Sequence, residues 1–556
     1  MWRNVLFGGN VGYRARLGRR KKRRLAATTA ALLAITASLI TGVPAASADS
    51  GETVIVTASG LLSPVTAVLQ VGGSVQTQFH LINAVVASIP TAAAAVLDAL
   101  PGISVTPDAQ VSLQDVPEST GPHTPSDAFL TQTGAGRLAA AGDTGQGVTV
   151  AVVDTGIDQL PDFSGRLIGG VDLTGGGNPF QDGYGHGTFV AGLIAGDGAS
   201  SNGQYSGEAP GANLVSIKVA GANGLTDLGT IIQGLQWAAD HQALYRIKVL
   251  NLSLGFQPSE STLVNPLDLA VQAVWNAGIT VVASAGNAGP FNGTILSPGD
   301  DPLVITVGAL DDMGAATAST DGDEMTDFSS VGPTSPDGWV KPDLVTSGRS
   351  VVSLAAPGST LASTYPSAQV GTANFTGSGT SFSTAITSGA VALVLADNPG
   401  LSPSQVKARL LGNTSPGPVG NPFVDGHGAL NAYAAATSGP MNLNQSGLVL
   451  PALPGLPVSL SSARPFDTWN TALWSGLAPG QLPSNGWIWP GVAWNGAAWN
   501  GWAWGGVAWN RWAWAGAYWN SSSWSGSAWD GTAWSGSPWT GAAWGPYWDT
   551  KSWNGG

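Results

Sequence analysis

Residues 148–437 alternate short apolar runs with stretches of helical spacing. Val148-Thr-Val-Ala-Val-Val153 is uncharged and mostly β-branched, which suits a strand covered on both faces. Residues 214–219, 249–253, 279–283 and 304–307 repeat the pattern. Between them, 227–240 and 266–276 carry helical periodicity, the second with Asn265 as its cap. Such alternation predicts an α/β fold over 121–437, a mostly parallel sheet with helices on both faces, in which ligands bind beyond the carboxyl ends of the strands. Residues 49–120 are patterned differently. Strands are expected at 53–57, 75–79 and 84–89, a helix at 92–100 capped by Thr91 and stopped by Pro101-Gly102, and strands again at 103–106 and 111–113. That mixture describes a small α+β domain.

The ends of the chain depart from both patterns. Arg19-Arg-Lys-Lys-Arg-Arg24 precedes an apolar run, 25–43, and then the small-residue site Ala46-Ser47-Ala48. This is the order of a secretory signal peptide over 1–48, and the same apolar run is also long enough for an uncleaved anchor. At the other end, 438–486 is rich in Pro, Leu, Gly and Ser and has the composition of a linker. From Trp489 to Trp544 a tryptophan recurs every five residues, giving a Trp-rich pentapeptide-repeat tail over 487–556. A period of five fits neither a strand nor a helix. The tail is open to several readings: a flexible low-complexity segment, a small solenoid, or a ladder of indoles for cell-wall or cell-surface association, for self-association or for contact with a membrane surface.

Composition narrows the partners. Net charge is −13, yet residues 1–24 hold nine basic residues and no acid; without them, 12 basic residues face 34 acidic ones, a net −22. So acidic a protein is repelled by nucleic acid, and no nucleic acid partner is expected. There is no cysteine, which removes disulfides, thiolate nucleophiles and Cys zinc sites.

Four glycine-containing stretches carry candidate chemistry. Asp154 ends the first strand of the series, in Asp154-Thr-Gly156. His186 stands between glycines at a predicted helix start, in Gly185-His-Gly-Thr188. Ser381 follows Gly379-Thr380 at the head of an apolar helix pattern, where unpaired N–H groups favour a developing negative charge. Asn287 follows another buried strand, in Ser284-Ala-Gly-Asn287. Serine acyl transfer needs a nucleophile, a base, a carboxylate that orients the base, and oxyanion donors. Asp154, His186, Ser381 and Asn287 supply all four.

These motifs, in this order, resemble the subtilisin-like serine proteases, the subtilases; Asn251-Leu-Ser-Leu-Gly255, Phe328-Ser-Ser330 and Lys341-Pro-Asp-Leu344 are weaker matches. The resemblance covers about 120–437. It implies a secreted serine endopeptidase acting on protein or peptide substrates, with Ser381 as nucleophile, His186 as base and acid, Asp154 as orienting carboxylate and Asn287 in the oxyanion hole. It further implies that Ser253, Leu254 and Gly255, with Ala283, Ser284, Ala285 and Gly286, flank the P1 side chain of a substrate bound as an added strand. Residues 49–120 would then be an inhibitory prodomain, an intramolecular partner. Ala385 stands where many members have proline. No cofactor is required. A structural calcium ion is open: the acidic run Asp311, Asp312, Asp321, Asp323, Glu324 and Asp327 has the right ligand chemistry, or is simply a solvated loop. The alternative function is a catalytically inactive cell-surface or cell-wall binding protein that uses the Trp-rich tail.

Overall fold

The computed structural model describes residues 51–59, 62–113 and 127–438. The signal peptide, almost all of the linker and the Trp-rich tail expected above lie outside those residues. The described residues divide into two compact units, one within 51–78 and 85–107, the other within 79–84 and 108–438.

The smaller unit has the expected α+β composition. Strands β1 (Glu52–Ala58), β2 (Ser74–Gln78), β3 (Ala84–Ile89) and β4 (Ile103–Pro107) form one sheet in the order β2-β3-β1-β4. Its core gathers Val54, Val56, Val68, Val85, Ile89 and Leu97. Two expectations change. The helix spans Thr91–Asp98 with Pro90 before it, so Thr91 is its first residue rather than its cap. A second helix, Pro64–Gln70, begins where the Ser63 hydroxyl accepts from Thr66 N–H and Pro64 supplies a fixed φ at the first position. Ser63-Pro64 was the legible signal for it.

The larger unit is built on a mostly parallel sheet. After β5 (Gln110–Ser112) come β6 (Thr149–Asp154), β7 (Leu167–Asp172), β8 (Asn213–Lys218), β9 (Leu225–Asp227), β10 (Ile247–Leu252), β11 (Thr280–Ser284), β12 (Ile305–Asp311), β13 (Glu324–Met325) and β14 (Leu344–Ser347). The main sheet runs β13-β12-β11-β10-β6-β8-β7, with β14 also on β12; only β12–β13 is antiparallel. Every residue of β6, β11 and β12 is buried, as the uncharged β-branched runs foretold. One helix pair, Leu228–Asp240 and Pro266–Asn276, packs together over β6, β8 and β11. The other, His186–Ala195 and Thr380–Asp397, packs over β6, β8, β10, β11, β12 and β14. Asp227 caps its helix by accepting from Thr230 N–H at 2.7 Å, and Asn265 caps the next from Leu267 N–H at 3.0 Å. Strand β5 does not join the α+β sheet; it pairs with β9, in the larger unit.

Candidate active site

Three adjacent parallel strands, β11, β10 and β6, end at one edge of the sheet. Each continues into a glycine-containing segment, and Asn287 lies in the one after β11. Asp154 is the last residue of β6, and His186 the first of its helix. Gly187 brings them together: a Cβ there would sit 2.2 Å from the Gly156 carbonyl oxygen and 3.2 Å from Asp154 Cβ. His186 Nδ1 lies 2.7 Å from Asp154 Oδ1, with both side chains almost fully buried. The same carboxylate oxygen accepts Thr155 N–H at 2.8 Å. A carboxylate held this way fixes the tautomer that carries its proton on Nδ1 and leaves Nε2 as the base.

Asp182 was not singled out from sequence, although it lies four residues before His186. It is buried, and its Oδ1 accepts from the Thr155 hydroxyl and from the N–H groups of Tyr184 and Gly185, at 2.8, 3.2 and 2.7 Å. Its Oδ2 accepts from Thr188 N–H at 2.8 Å. Asp182 thereby ties the turn before His186 to the residue after Asp154. Burial raises its pKa, and the hydrogen bonds from Gly185, Thr188 and Thr155 oppose the rise.

Ser381 is the second residue of the long buried helix Thr380–Asp397, as the small residues of its first turns predict. Its neighbour Phe382 packs on Phe189, ring centroids 4.3 Å apart, and its ring centroid is 5.9 Å from that of His186. This contact joins the two helices beside the imidazole. Ser381 Oγ donates to the Ser253 carbonyl at 3.2 Å, and Ser253 Oγ donates to the Ser381 carbonyl at 2.8 Å. Behind Ser253, Asn251 Nδ2 donates to its hydroxyl, and the Ser388 hydroxyl donates to Asn251 Oδ1. Asn251 and Ser388 thus lock the end of β10 to the Ser381 helix; only the fold makes them partners. Asn287 Oδ1 accepts both the N–H and the hydroxyl of Thr380, each at 2.9 Å. The amide therefore turns its donor, Nδ2, away from Thr380.

Ser253, Leu254 and Gly255 follow β10; Ala283 and Ser284 end β11, and Ala285 and Gly286 continue from it. Ser284 Oγ donates to the Leu254 carbonyl at 3.3 Å, closing the two segments against each other. Among the described residues of this unit, His80 pairs with Asp240, His241 stacks on Trp237, and the His427 N–H donates to the Asp343 carbonyl at 2.8 Å.

Among the described residues no group of three or more His, Cys, Asp or Glu is placed to hold a metal ion. Asp312 accepts from the Ser347 hydroxyl and Gly314 N–H, Asp323 from Gln132 Nε2, and Asp327 pairs with Arg349. These acids are answered by protein groups.

Residues 145–447 match the family model described as "Subtilase family". The chain is 44% identical over 294 residues to serine protease AprX of Bacillus subtilis (strain 168), a match covering 52% of this chain and 66% of that protein. It is 33% identical over 372 residues to subtilisin NAT of Bacillus subtilis subsp. natto, covering 66% of this chain and 84% of that protein. Among solved structures, it is similar to fervidolysin from Fervidobacterium pennivorans, a keratinolytic enzyme related to subtilisin, with TM-score 0.56 and 23% identity over 71% of this chain and 62% of that one. This last likeness concerns the fold alone.

Proposed function

The chain belongs to the subtilase family of serine proteases, and we propose that it works as a secreted serine endopeptidase through Asp154, His186 and Ser381. The observation that carries this is the buried 2.7 Å contact of His186 Nδ1 with Asp154 Oδ1, next to a helix that begins at Thr380. Ser381 Oγ attacks the peptide carbonyl carbon while its proton passes to His186 Nε2. Asp154 steadies the imidazolium. The oxyanion takes hydrogen bonds from Asn287 Nδ2 and from Ser381 N–H, where the helix N-terminus favours negative charge. The C–N bond then breaks as His186 returns the proton to the leaving amine. Water, deprotonated by the same imidazole, hydrolyses the acyl-enzyme. The scheme draws on no cofactor. Its test is turnover of an unfolded protein substrate: Ser381→Ala should lower kcat about a millionfold, as loss of the nucleophile does in a subtilisin.

Residues 49–120 act as a prodomain in this reading. It is supported by β5, whose Gln110, Val111 and Ser112 pair antiparallel with Asp227, Thr226 and Leu225. Val111 and Leu113 are buried, and Leu113 N–H donates to the Gly224 carbonyl at 2.9 Å. A Cβ on Gly224 would touch the ring of Tyr184, two residues before His186. The segment thus forms a two-stranded antiparallel ladder with β9, whose preceding residue Gly224 approaches Tyr184, and an extended peptide pairs through its backbone in the same way. Residues 1–48 direct export, and the Trp-rich tail attaches the enzyme to the cell wall or surface. Deleting 487–556 should abolish binding to isolated cell walls; unchanged binding would remove that role.

A further inference from the structure

Gly255 and Gly286 follow neighbouring parallel strands, and one residue lies against both. A Cβ on Gly255 would be 2.9 Å from Leu296 Cβ; a Cβ on Gly286 would be 2.5 Å from Leu296 Cγ and 2.7 Å from its Cδ1. The leucine side chain therefore fills the slot between the two glycines. Its backbone bridges the slot as well. Leu296 N–H donates to the Ala285 carbonyl at 2.9 Å, and the next residue, Ser297, exchanges two hydrogen bonds with Phe256. The Ser297 hydroxyl donates to buried Asp268 at 2.9 Å, so this segment is anchored from below. The slot adjoins the nucleophile: Ser381 Oγ donates to Ser253, two residues before Gly255, and Gly286 N–H donates to the Thr380 hydroxyl at 3.2 Å.

We propose that Leu296 is the floor of the P1 site and restricts this enzyme to substrates with a small side chain there: glycine, alanine or serine. The assignment rests on the peptidase reading above. Two facing glycines would otherwise leave a flat slot for a ring. With Leu296 inside it, an aromatic P1 group has to displace a branched side chain whose backbone is tied to both walls. A misfit of even one methylene in an apolar pocket changes kcat/KM by roughly 10- to 200-fold.

The test compares two peptide anilides that differ only at P1, alanine against phenylalanine, on the full-length enzyme and on Leu296→Gly and Leu296→Ala. The wild type should favour alanine by at least about tenfold in kcat/KM. Leu296→Gly should reverse the preference, and Leu296→Ala should narrow it. The alanine variant gives the same reading if the glycine variant does not fold. A wild type that takes phenylalanine as readily as alanine, or variants that fold and keep the wild-type ratio, would overturn the assignment. Absence of any hydrolysis, together with no fluorophosphonate labelling of the wild type, would instead overturn the peptidase reading and this assignment with it.

Discussion

At the residue scale, the Asp154 carboxylate holds the His186 imidazole and the Asn287 amide is held by Thr380. Asp154→Asn keeps the shape of the site but lets the imidazole adopt the wrong tautomer. It should lower kcat about 10⁴-fold with an intact fold by circular dichroism. On the proposed mechanism, Asn287→Ala removes one oxyanion donor and should lower kcat about 10²–10³-fold with little change in KM, as for the side-chain donor in a subtilisin; steady-state kinetics measure both. These residues were legible because each stands among glycines, at a strand end or a helix start, where a reactive side chain meets a substrate. Asp182, Ser388 and Leu296 were not, and Asn251 stood out only as the head of a weaker motif match, without its partner. Their importance comes from partners 27 to 137 positions away for Asp182, Asn251 and Ser388, or from a slot formed by two separate strands. Neither periodicity nor a short motif records such pairings.

At the element scale, the series of strands was legible because its members are buried on both faces, which forces long apolar runs. Strand ends shifted by one or two residues, and β12 extends to Asp311, well past the expected 307, because hydrogen bonding to β13 and β14 continues the ladder. Strand β5 was expected in the small domain on proximity along the chain, whereas its partner β9 lies more than a hundred residues away. Helix placement is the other determinant, and Gly187 sets it. A methyl group at that position meets a backbone oxygen at 2.2 Å, which cannot swing aside. Gly187→Ala should push the His186 helix from the end of β6 and lower kcat/KM at least about a hundredfold, with secondary structure retained. Activity near that of the wild type would mean that this close approach does not position the imidazole.

At the scale of the whole molecule, a buried carboxylate cluster ties stability to pH. Asp268, Asp300 and Asp301 lie together, with Lys341 and Lys407 acting on Asp301 and Asp337 on Asp300. Burial, and then the charge of Asp301, push Asp300 up to about 8; burial also raises Asp268. A carboxyl group raised in the folded state stabilises most below its unfolded pKa of about 4, and this contribution is lost as pH rises through about 8. Lys407, lowered to about 7 by burial, has the opposite slope, but only from about pH 7 to 10.5. The melting temperature should therefore fall between pH 5 and 7 for the wild type and fall less for Asp300→Asn. The two chain ends call for a processing experiment. On the proposed reading, N-terminal sequencing should find the wild type beginning near residue 120 and the Ser381→Ala protein still carrying residues 49–120; the same N-terminus in both would rule out self-processing. The most direct test of the central claim is mass spectrometry of the protein after treatment with a fluorophosphonate. One adduct should form, on Ser381, and it should be absent from Ser381→Ala and slow to form in His186→Ala. An unmodified Ser381 in the folded wild type would contradict the account.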